Sequence, residues 1–342
     1  MPRYEIARIT AVTSQREGLQ RVDTTRGRAY VLTQLTGPVG AGDDVVLNTT
    51  AVELGLGTGG WHIVHWNLAN AAGWSAPGGG HVMKLRYTSL QSDTGVAEER
   101  DDYASPLDLD GRPVVAIGLH SQLAAVAVAF ADTTAGRPKR LVYVMTDGGA
   151  LPVALSDLVA DLRDRDLLAA TVTAGHAFGG DHEAVNVTSA LDVAVACAHA
   201  DAIVVGTGPG VVGTGTTHGH SPLEVAQLID ATAASNGRPI VALRVSDADA
   251  RDRHRGVSHH SLTALARATT RATVAIPADD AAGDLGDVGQ HDVVPVPVPD
   301  VAALLDDAGL RVTTMGRGPA DEPRFFRYAA AAGALAAALT RT

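Results

Sequence analysis

The chain has 342 residues, of which 46% are hydrophobic and 19% charged, so it can bury a sizeable core and lacks the composition of a disordered protein. Its formal net charge of −11 disfavours nonspecific nucleic-acid binding by the molecule as a whole, and its single cysteine excludes an internal disulfide and a cysteine-rich metal site. We find neither a secretory leader nor an apolar stretch of about 18 residues, and therefore expect a soluble, cytoplasmic, bacterial-type protein without a membrane partner.

Residues 1–75 are expected to form a small β domain. The predicted strands are 6–12, 19–23, 29–33, 45–47 and 61–64, which alternate in polarity or favour β-branched residues. Turn sequences rich in Gly, Thr and Asp separate them, which is typical of a small barrel, SH3-like or OB-like. Residues 1–35 carry six arginines against three acidic residues, so nucleic acid remains open as a partner of this region alone. Residues 76–111 are expected to be a linker and extended segment.

From residue 112 to 342, apolar segments alternate with helix-length amphipathic segments. The predicted strands are 114–119, 141–145, 168–173, 202–206, 240–245 and 272–276. The predicted helices are 121–132, 152–163, 185–199, 222–235, 259–269 and 300–308. An Ala-rich final helix over 328–339 is expected to pack on the body or on a second subunit, so a homo-oligomer remains open. This alternation predicts an α/β fold, with a mostly parallel Rossmann-like sheet covered by helices on both faces. Such sheets bind ligands beyond the carboxyl ends of their strands.

The loop after the fourth of these strands is rich in Gly and Thr and contains a G-x-G-x-x-G pattern. In a dinucleotide fold the helix begins inside that pattern, but here a capping box formed by Ser221, Pro222 and Glu224 places the helix start later, and there is no Lys for a nucleotide P-loop. The remaining alternatives are a merely flexible loop and a loop whose backbone N–H groups bind an anion. The predicted ligand-binding residues of this loop are Gly208, Gly210, Gly213, Thr214, Gly215 and Thr216.

Two further loops carry residues that suit acid/base or metal chemistry. After the third strand come His176, Asp181, His182 and Glu183, whose spacing matches no standard metal signature, so a metal site, an acid/base role and a structural role all stay open. After the fifth strand, Ser258 is the expected N-cap of a helix that begins with His259 and His260. Adjacent histidines on a helix point about 100° apart, so they rarely bind one metal together. We expect one to face a ligand while the other packs.

Three arginines, Arg251, Arg253 and Arg255, lie just before this helix start and favour a phosphate or carboxylate there. The candidate ligand-binding residues of this segment are Arg253, Arg255 and Ser258. The candidate catalytic residues of the chain are His176, Asp181, His182, His259 and His260. The sequence does not identify a cofactor or a metal.

Several of these segments resemble domain-of-unknown-function family 3866, an uncharacterised bacterial family. The resemblance is carried by residues 179–186, 206–216 and 253–261, and residues 47–52 and 80–87 fit it as well. It covers nearly the whole chain and implies one full-length protein. It implies no activity, so no catalytic role can be transferred.

Taken together, these features favour an enzyme that acts on a small anionic molecule, phosphorylated or a nucleotide, at the rim of the α/β domain. A rival hypothesis is a ligand sensor or scaffold in which the same rim binds without turnover. A third is an RNA-binding accessory protein that uses the basic β domain.

Overall fold

A computed structural model of the chain describes residues 1–57, 59–70, 72–75, 79–106, 108–137, 139–280 and 285–340. It divides the chain into two units, Met1–Gly95 and Val96–Thr342. The predicted linker 76–111 begins on residues 76–78, which lie outside the described residues. Among the helices that are described, none is long and apolar enough to cross a membrane.

The first unit contains the predicted small barrel. Its strands are β1 (Tyr4–Arg16), β2 (Leu19–Thr24), β3 (Gly27–Leu32), β4 (Asp44–Asn48) and β5 (His62–Asn67). They close in the order β1-β2-β3-β5-β4 around buried aliphatic residues. Register shifts in β1, between Ile9 and Ala11 and between Val12 and Ser14, mark irregularities that let one long strand bend and pair with both β2 and β4. The unit also contains α1 (Thr33–Thr36), α2 (Thr50–Glu53) and a ladder of β6 (Met83–Lys84) with β7 (Ser92–Asp93).

The excess of arginine in the first 35 residues is partly neutralised within this unit. Ion pairs on its surface join Arg3 to Glu53, Arg8 to Asp44 at 2.8 Å, and Arg26 to Glu5 at 3.2 Å. Two of the acidic partners come from residues beyond 35, so the local charge in the fold is lower than the sequence of that segment indicates.

The second unit is built on an eight-stranded, all-parallel sheet, which confirms the predicted fold class. Its strands are β8 (Pro113–Ile117), β9 (Leu141–Thr146), β10 (Ala170–Ala174), β11 (His182–Ala184), β12 (Ala202–Thr207), β13 (Arg238–Ala242), β16 (Thr273–Pro277) and β17 (Asp292–Val296). Their order is β11-β10-β9-β12-β8-β13-β16-β17. The two edge strands, β11 and β17, were not predicted. A separate antiparallel ladder joins β14 (Val245–Ser246) to β15 (Gly256–Val257).

Helices cover both faces of this sheet, as predicted. They are α3 (Gln122–Thr133), α4 (Asp157–Asp164), α5 (Val187–Ala196), α6 (Glu224–Ala234), α7 (His259–Arg267), α8 (Val301–Asp307) and α9 (Pro323–Leu339). Helices α3, α4, α8 and α9 share one apolar cluster with one face of the sheet, while α5, α6 and α7 share a second cluster with the other face. The Ala-rich helix α9 begins five residues earlier than predicted and packs on α3, where Gly333 faces the backbone of Val126.

Candidate functional site

The strand order of the sheet reverses beside β8. From β8 the chain passes to β9 through α3 on one face, and β12 lies between these two strands. From β12 the chain passes to β13, on the other side of β8, through α6 on the opposite face. A parallel sheet opens a crevice at the carboxyl ends of its strands where consecutive connections leave on opposite faces. We call the carboxyl ends of β9, β12 and β8 the switch-point edge.

A hydrogen-bonded network lies at the switch-point edge. The hydroxyl of Tyr143 donates to the carbonyl of Thr207 at 3.0 Å, so it accepts from His120 Nδ1, which lies 3.2 Å away. His120 Nε2 then carries no proton and accepts a hydrogen bond from the hydroxyl of Ser156, at 2.7 Å. Ser156 is also the N-cap of α4, because its hydroxyl oxygen accepts from the Val159 N–H. Burial lowers the pKa of His120 to about 4, so this imidazole is neutral at pH 7.

A pocket of about 440 Å³ opens next to this network. Its wall includes His120 and Ser121, which follow β8, and Gly210 and Val211, which follow β12. The wall also contains apolar residues and three charged ones, which are Asp157 and Asp161 on α4 and Arg311 after α8. The carboxylate of Asp161 already accepts from Arg165 at 3.1 Å, whereas the side chain of Arg311 is exposed.

Glu224, the first residue of α6, also faces the switch-point edge. Both of its carboxyl oxygens lie 3.0 Å from the hydroxyl of Thr146 at the end of β9, which donates to them. Burial raises the pKa of Glu224 to about 7. The predicted capping box is wrong, because the hydroxyl of Ser221 accepts from the Val212 N–H at 3.2 Å and the Glu224 side chain turns towards β9. Sequence reasoning assigned Glu224 to that box and so missed its place at the edge.

Four histidines form a compact cluster beside the same edge. His220 ends the Gly/Thr loop, His254 precedes α7, and His259 and His260 open α7. We call these four residues the histidine cluster. The rings of His220 and His260 stack with centroids 3.9 Å apart, and the centroids of His259 and His254 lie 4.4 and 4.7 Å from that of His260. His220 and His260 are only 6% and 5% exposed.

Several ring nitrogens of the histidine cluster are buried and have no hydrogen-bond partner in the described structure. They are His220 Nδ1, His259 Nε2, and both Nδ1 and Nε2 of His260. Nitrogens of His220, His259 and His260 lie within 4.8 Å of one another. We expected the two adjacent histidines to face apart, but at the first turn of α7 both side chains reach His220. Sequence reasoning did not single out His220 or His254, because neither lies in a recognisable ligand spacing.

The predicted anion-binding loop lies between the pocket and the histidine cluster. Gly210 lines the pocket, while a Cβ on Gly213 would lie 3.2 Å from His260 Cε1. Gly208 is packed, since a Cβ there would be 2.7 Å from the Ala150 carbonyl oxygen. The hydroxyls of Thr214 and Thr216 lie 2.8 Å apart and bond within the loop, and Gly215 faces open space. The anion-binding role of these residues stays a prediction.

The segment before α7 has one buried and two exposed members. Ser258 is the N-cap of α7, as expected: its hydroxyl accepts from the His260 N–H at 3.2 Å and also contacts His254 Nδ1 at 2.7 Å. Ser258 is fully buried. Arg253 and Arg255 are exposed, and Arg255 lies 3.7 Å from the carboxylate of Asp252.

The structure does not bring the residues of the His176 loop together. His176 follows β10 at its carboxyl end, and its N–H donates to Asp147 at 3.2 Å. Asp181 instead lies beside Thr171, the second residue of β10, where its carboxylate accepts from the N–H at 2.7 Å and from the hydroxyl at 3.0 Å. His182, the first residue of β11, lies opposite Val172 of β10 in the parallel pairing of these strands, and Val172 directly follows Thr171. Asp181 and His182 therefore lie away from the switch-point edge, and their proposed chemistry stays untested.

The sequence matches the family described as "Protein of unknown function (DUF3866)" over residues 28–333. The match covers most of the 342 residues, including the loops of the pocket and of the histidine cluster, and confirms the resemblance. No curated protein and no solved structure matches the chain.

Proposed function

Since the chain belongs to domain-of-unknown-function family 3866, whose description names no activity, we propose from the site itself that the second unit binds a small anionic molecule in the pocket beside His120 and acts on it. The observation that carries this proposal is a pocket of about 440 Å³ at the switch-point edge. That volume lies within the range of about 300–1,000 Å³ common for small-molecule sites, and the position is the one at which parallel α/β sheets bind ligands.

The charges of the wall support a ligand with an anionic group. The exposed guanidinium of Arg311 can bind a phosphate or carboxylate through two parallel hydrogen bonds. Asp157 lies on the same wall and accepts hydrogen bonds from hydroxyl or amino groups. Leu158 and Val211 contribute apolar surface for the body of the ligand. A small hydroxylated molecule with one anionic end fits this set of groups.

The pairing of Ser156 with His120 supports proton transfer in this pocket. A hydroxyl 2.7 Å from a neutral imidazole, whose second nitrogen is held by Tyr143, is the arrangement by which proteins orient a base. A second candidate function is a sensor that binds without turnover. It is favoured by the burial of Ser156, which is 4% exposed and caps α4, because a buried capping hydroxyl is not presented to a ligand.

The binding proposal can be tested with matched ligand pairs. We expect adenosine monophosphate or a sugar phosphate to raise the melting temperature of the chain, and the dephosphorylated partners to do so far less. Arg311→Ala should weaken binding at least about tenfold, since a charge-assisted hydrogen bond contributes about 1.5–3 kcal/mol. Arg137→Ala, at an exposed arginine outside the pocket, is the control. Equal responses to both members of each pair would contradict the proposal.

Turnover separates the two candidate functions. Ligands found in this way are incubated with the protein, and products are followed by mass spectrometry. The enzyme predicts product formation that is lost in His120→Gln while binding remains measurable. A sensor predicts binding with no product in either protein.

A further inference from the structure

We propose that His220, His259 and His260 bind one divalent transition-metal ion, with zinc as the expected occupant. Neutral imidazole nitrogens are common ligands of zinc, and three protein ligands with an open fourth position are typical of sites where zinc binds water or a substrate. This metal site does not depend on the ligand proposed for the pocket.

The first argument is the number of buried nitrogens that lack a partner. A buried donor or acceptor without a hydrogen bond costs about 1–3 kcal/mol, so native structures contain few of them. Here His220, His259 and His260 together contribute four such nitrogens at one place. One metal ion would supply the missing partner to a nitrogen of each ring.

The second argument is the orientation of the His220 ring. Its Nε2 lies 3.0 Å from the carbonyl oxygen of Thr217, to which it must donate. The proton is therefore on Nε2, and the lone pair of Nδ1 is directed away from that carbonyl and is free to bind a metal. A backbone carbonyl that accepts from the non-ligating nitrogen is the usual outer contact of a metal-binding histidine.

The third argument is geometric. In a tetrahedral zinc site with Zn–N distances of about 2.1 Å, two ligand nitrogens lie about 3.4 Å apart. The candidate nitrogens lie within 4.8 Å of one another, so ring rotations that shorten the widest separation by up to about 1.4 Å close the site. Gly213 leaves room for these rotations, because a Cβ there would lie 3.1 Å from His220 Cβ and 3.2 Å from His260 Cε1. His259 is partly exposed, which gives the ion a route from solvent.

The test is metal stoichiometry of the full-length, tag-free chain. After equilibration with zinc and removal of the unbound ion, elemental analysis should find about one zinc per chain. His220→Gln and His259→Gln should each lower zinc affinity at least about tenfold. Loss of a group that only orients a metal ligand already lowers metal affinity by about 10–100-fold, and here a ligand itself is removed. His65→Gln and His199→Gln, at histidines outside both the histidine cluster and the His176 loop, are matched controls that should keep the wild-type stoichiometry. Full retention of zinc by both cluster variants, or its absence from a folded wild-type chain, overturns the proposal.

A spectroscopic measurement keeps the proposal testable if a cluster variant fails to fold. X-ray absorption of the zinc-loaded wild-type chain should show imidazole scattering from about three ligands, and cobalt in place of zinc should give the intense visible absorption of a tetrahedral site. The assignment would be refuted by a zinc coordination shell without imidazole, or by octahedral cobalt with only oxygen ligands, because either result would show that the ion binds elsewhere.

Discussion

Replacement of Glu224 by Gln should make the second unit more stable at pH 8 and should lose that advantage as the pH falls. Burial raises the pKa of Glu224 from 4.5 to about 7 in the folded chain. Between these values the folded state binds more protons than the unfolded state, so its stability falls as the pH rises. At about 1.4 kcal/mol per pKa unit, the ionised carboxylate costs about 3 kcal/mol at pH 8. The amide of Gln still accepts from Thr146 without carrying charge.

The assay is urea unfolding at several pH values from 4.5 to 8, followed by far-ultraviolet circular dichroism. This signal reports mainly on the helices of the second unit, whereas tryptophan fluorescence reports on the first unit, because Trp61, Trp66 and Trp74 all lie there. We expect the difference in free energy of unfolding between Glu224→Gln and wild type to grow to about 3 kcal/mol by pH 8. Asp132→Asn, at an exposed carboxylate of α3, should change stability by less than about 0.5 kcal/mol. A Glu224→Gln difference that does not vary with pH would refute the reasoning.

Two further predictions concern glycines. A Cβ on Gly333 would lie 2.2 Å from the Val126 carbonyl oxygen, so Gly333→Ala should push α9 away from α3 and lower the free energy of unfolding by about 1–3 kcal/mol, which thermal melts would detect. Gly213→Val should disturb the histidine cluster and weaken zinc binding while leaving the dichroism spectrum unchanged, whereas Gly215→Val should have no effect because nothing lies within 4 Å of a Cβ there. Equal zinc affinity in these two variants would count against the contact between the Gly/Thr loop and the cluster.

The central strands could be predicted because they are apolar throughout, which is the property of a parallel strand buried on both faces. The edge strands could not. Strand β11 has only three residues, and β17 is mostly exposed and is interrupted by Pro295, so neither resembles the long, fully buried runs of the central strands. A very short strand and a strand that contains proline are both typical of sheet edges, where unpaired backbone groups must be protected from association.

The candidate site could be predicted only in part, because it depends on strand order. The loops after parallel strands were expected to meet at one rim, and the Gly/Thr loop does reach His260. Which loops become neighbours depends on β12 and β13 lying on either side of β8, which local patterns do not encode. For that reason His120, His220 and Glu224 were not recognised. Asp181 was grouped with His176, although it lies beside the start of β10 and His176 follows the end of that strand. The capping box failed because Ser221 bonds to Val212, a tertiary contact that competes with the local pattern.

Helix α9 has a consequence for synthesis on the ribosome. It covers α3 and one face of β8, β13 and β16, yet it follows β8 by about 200 residues. At a translation rate of about 5–20 residues per second, the apolar face of α3 remains uncovered for roughly 10–40 seconds after it emerges. During that interval the nascent chain exposes to solvent an apolar surface that is buried in the folded chain, so chaperone holdases would have both the time and the surface to bind it before α9 is synthesised.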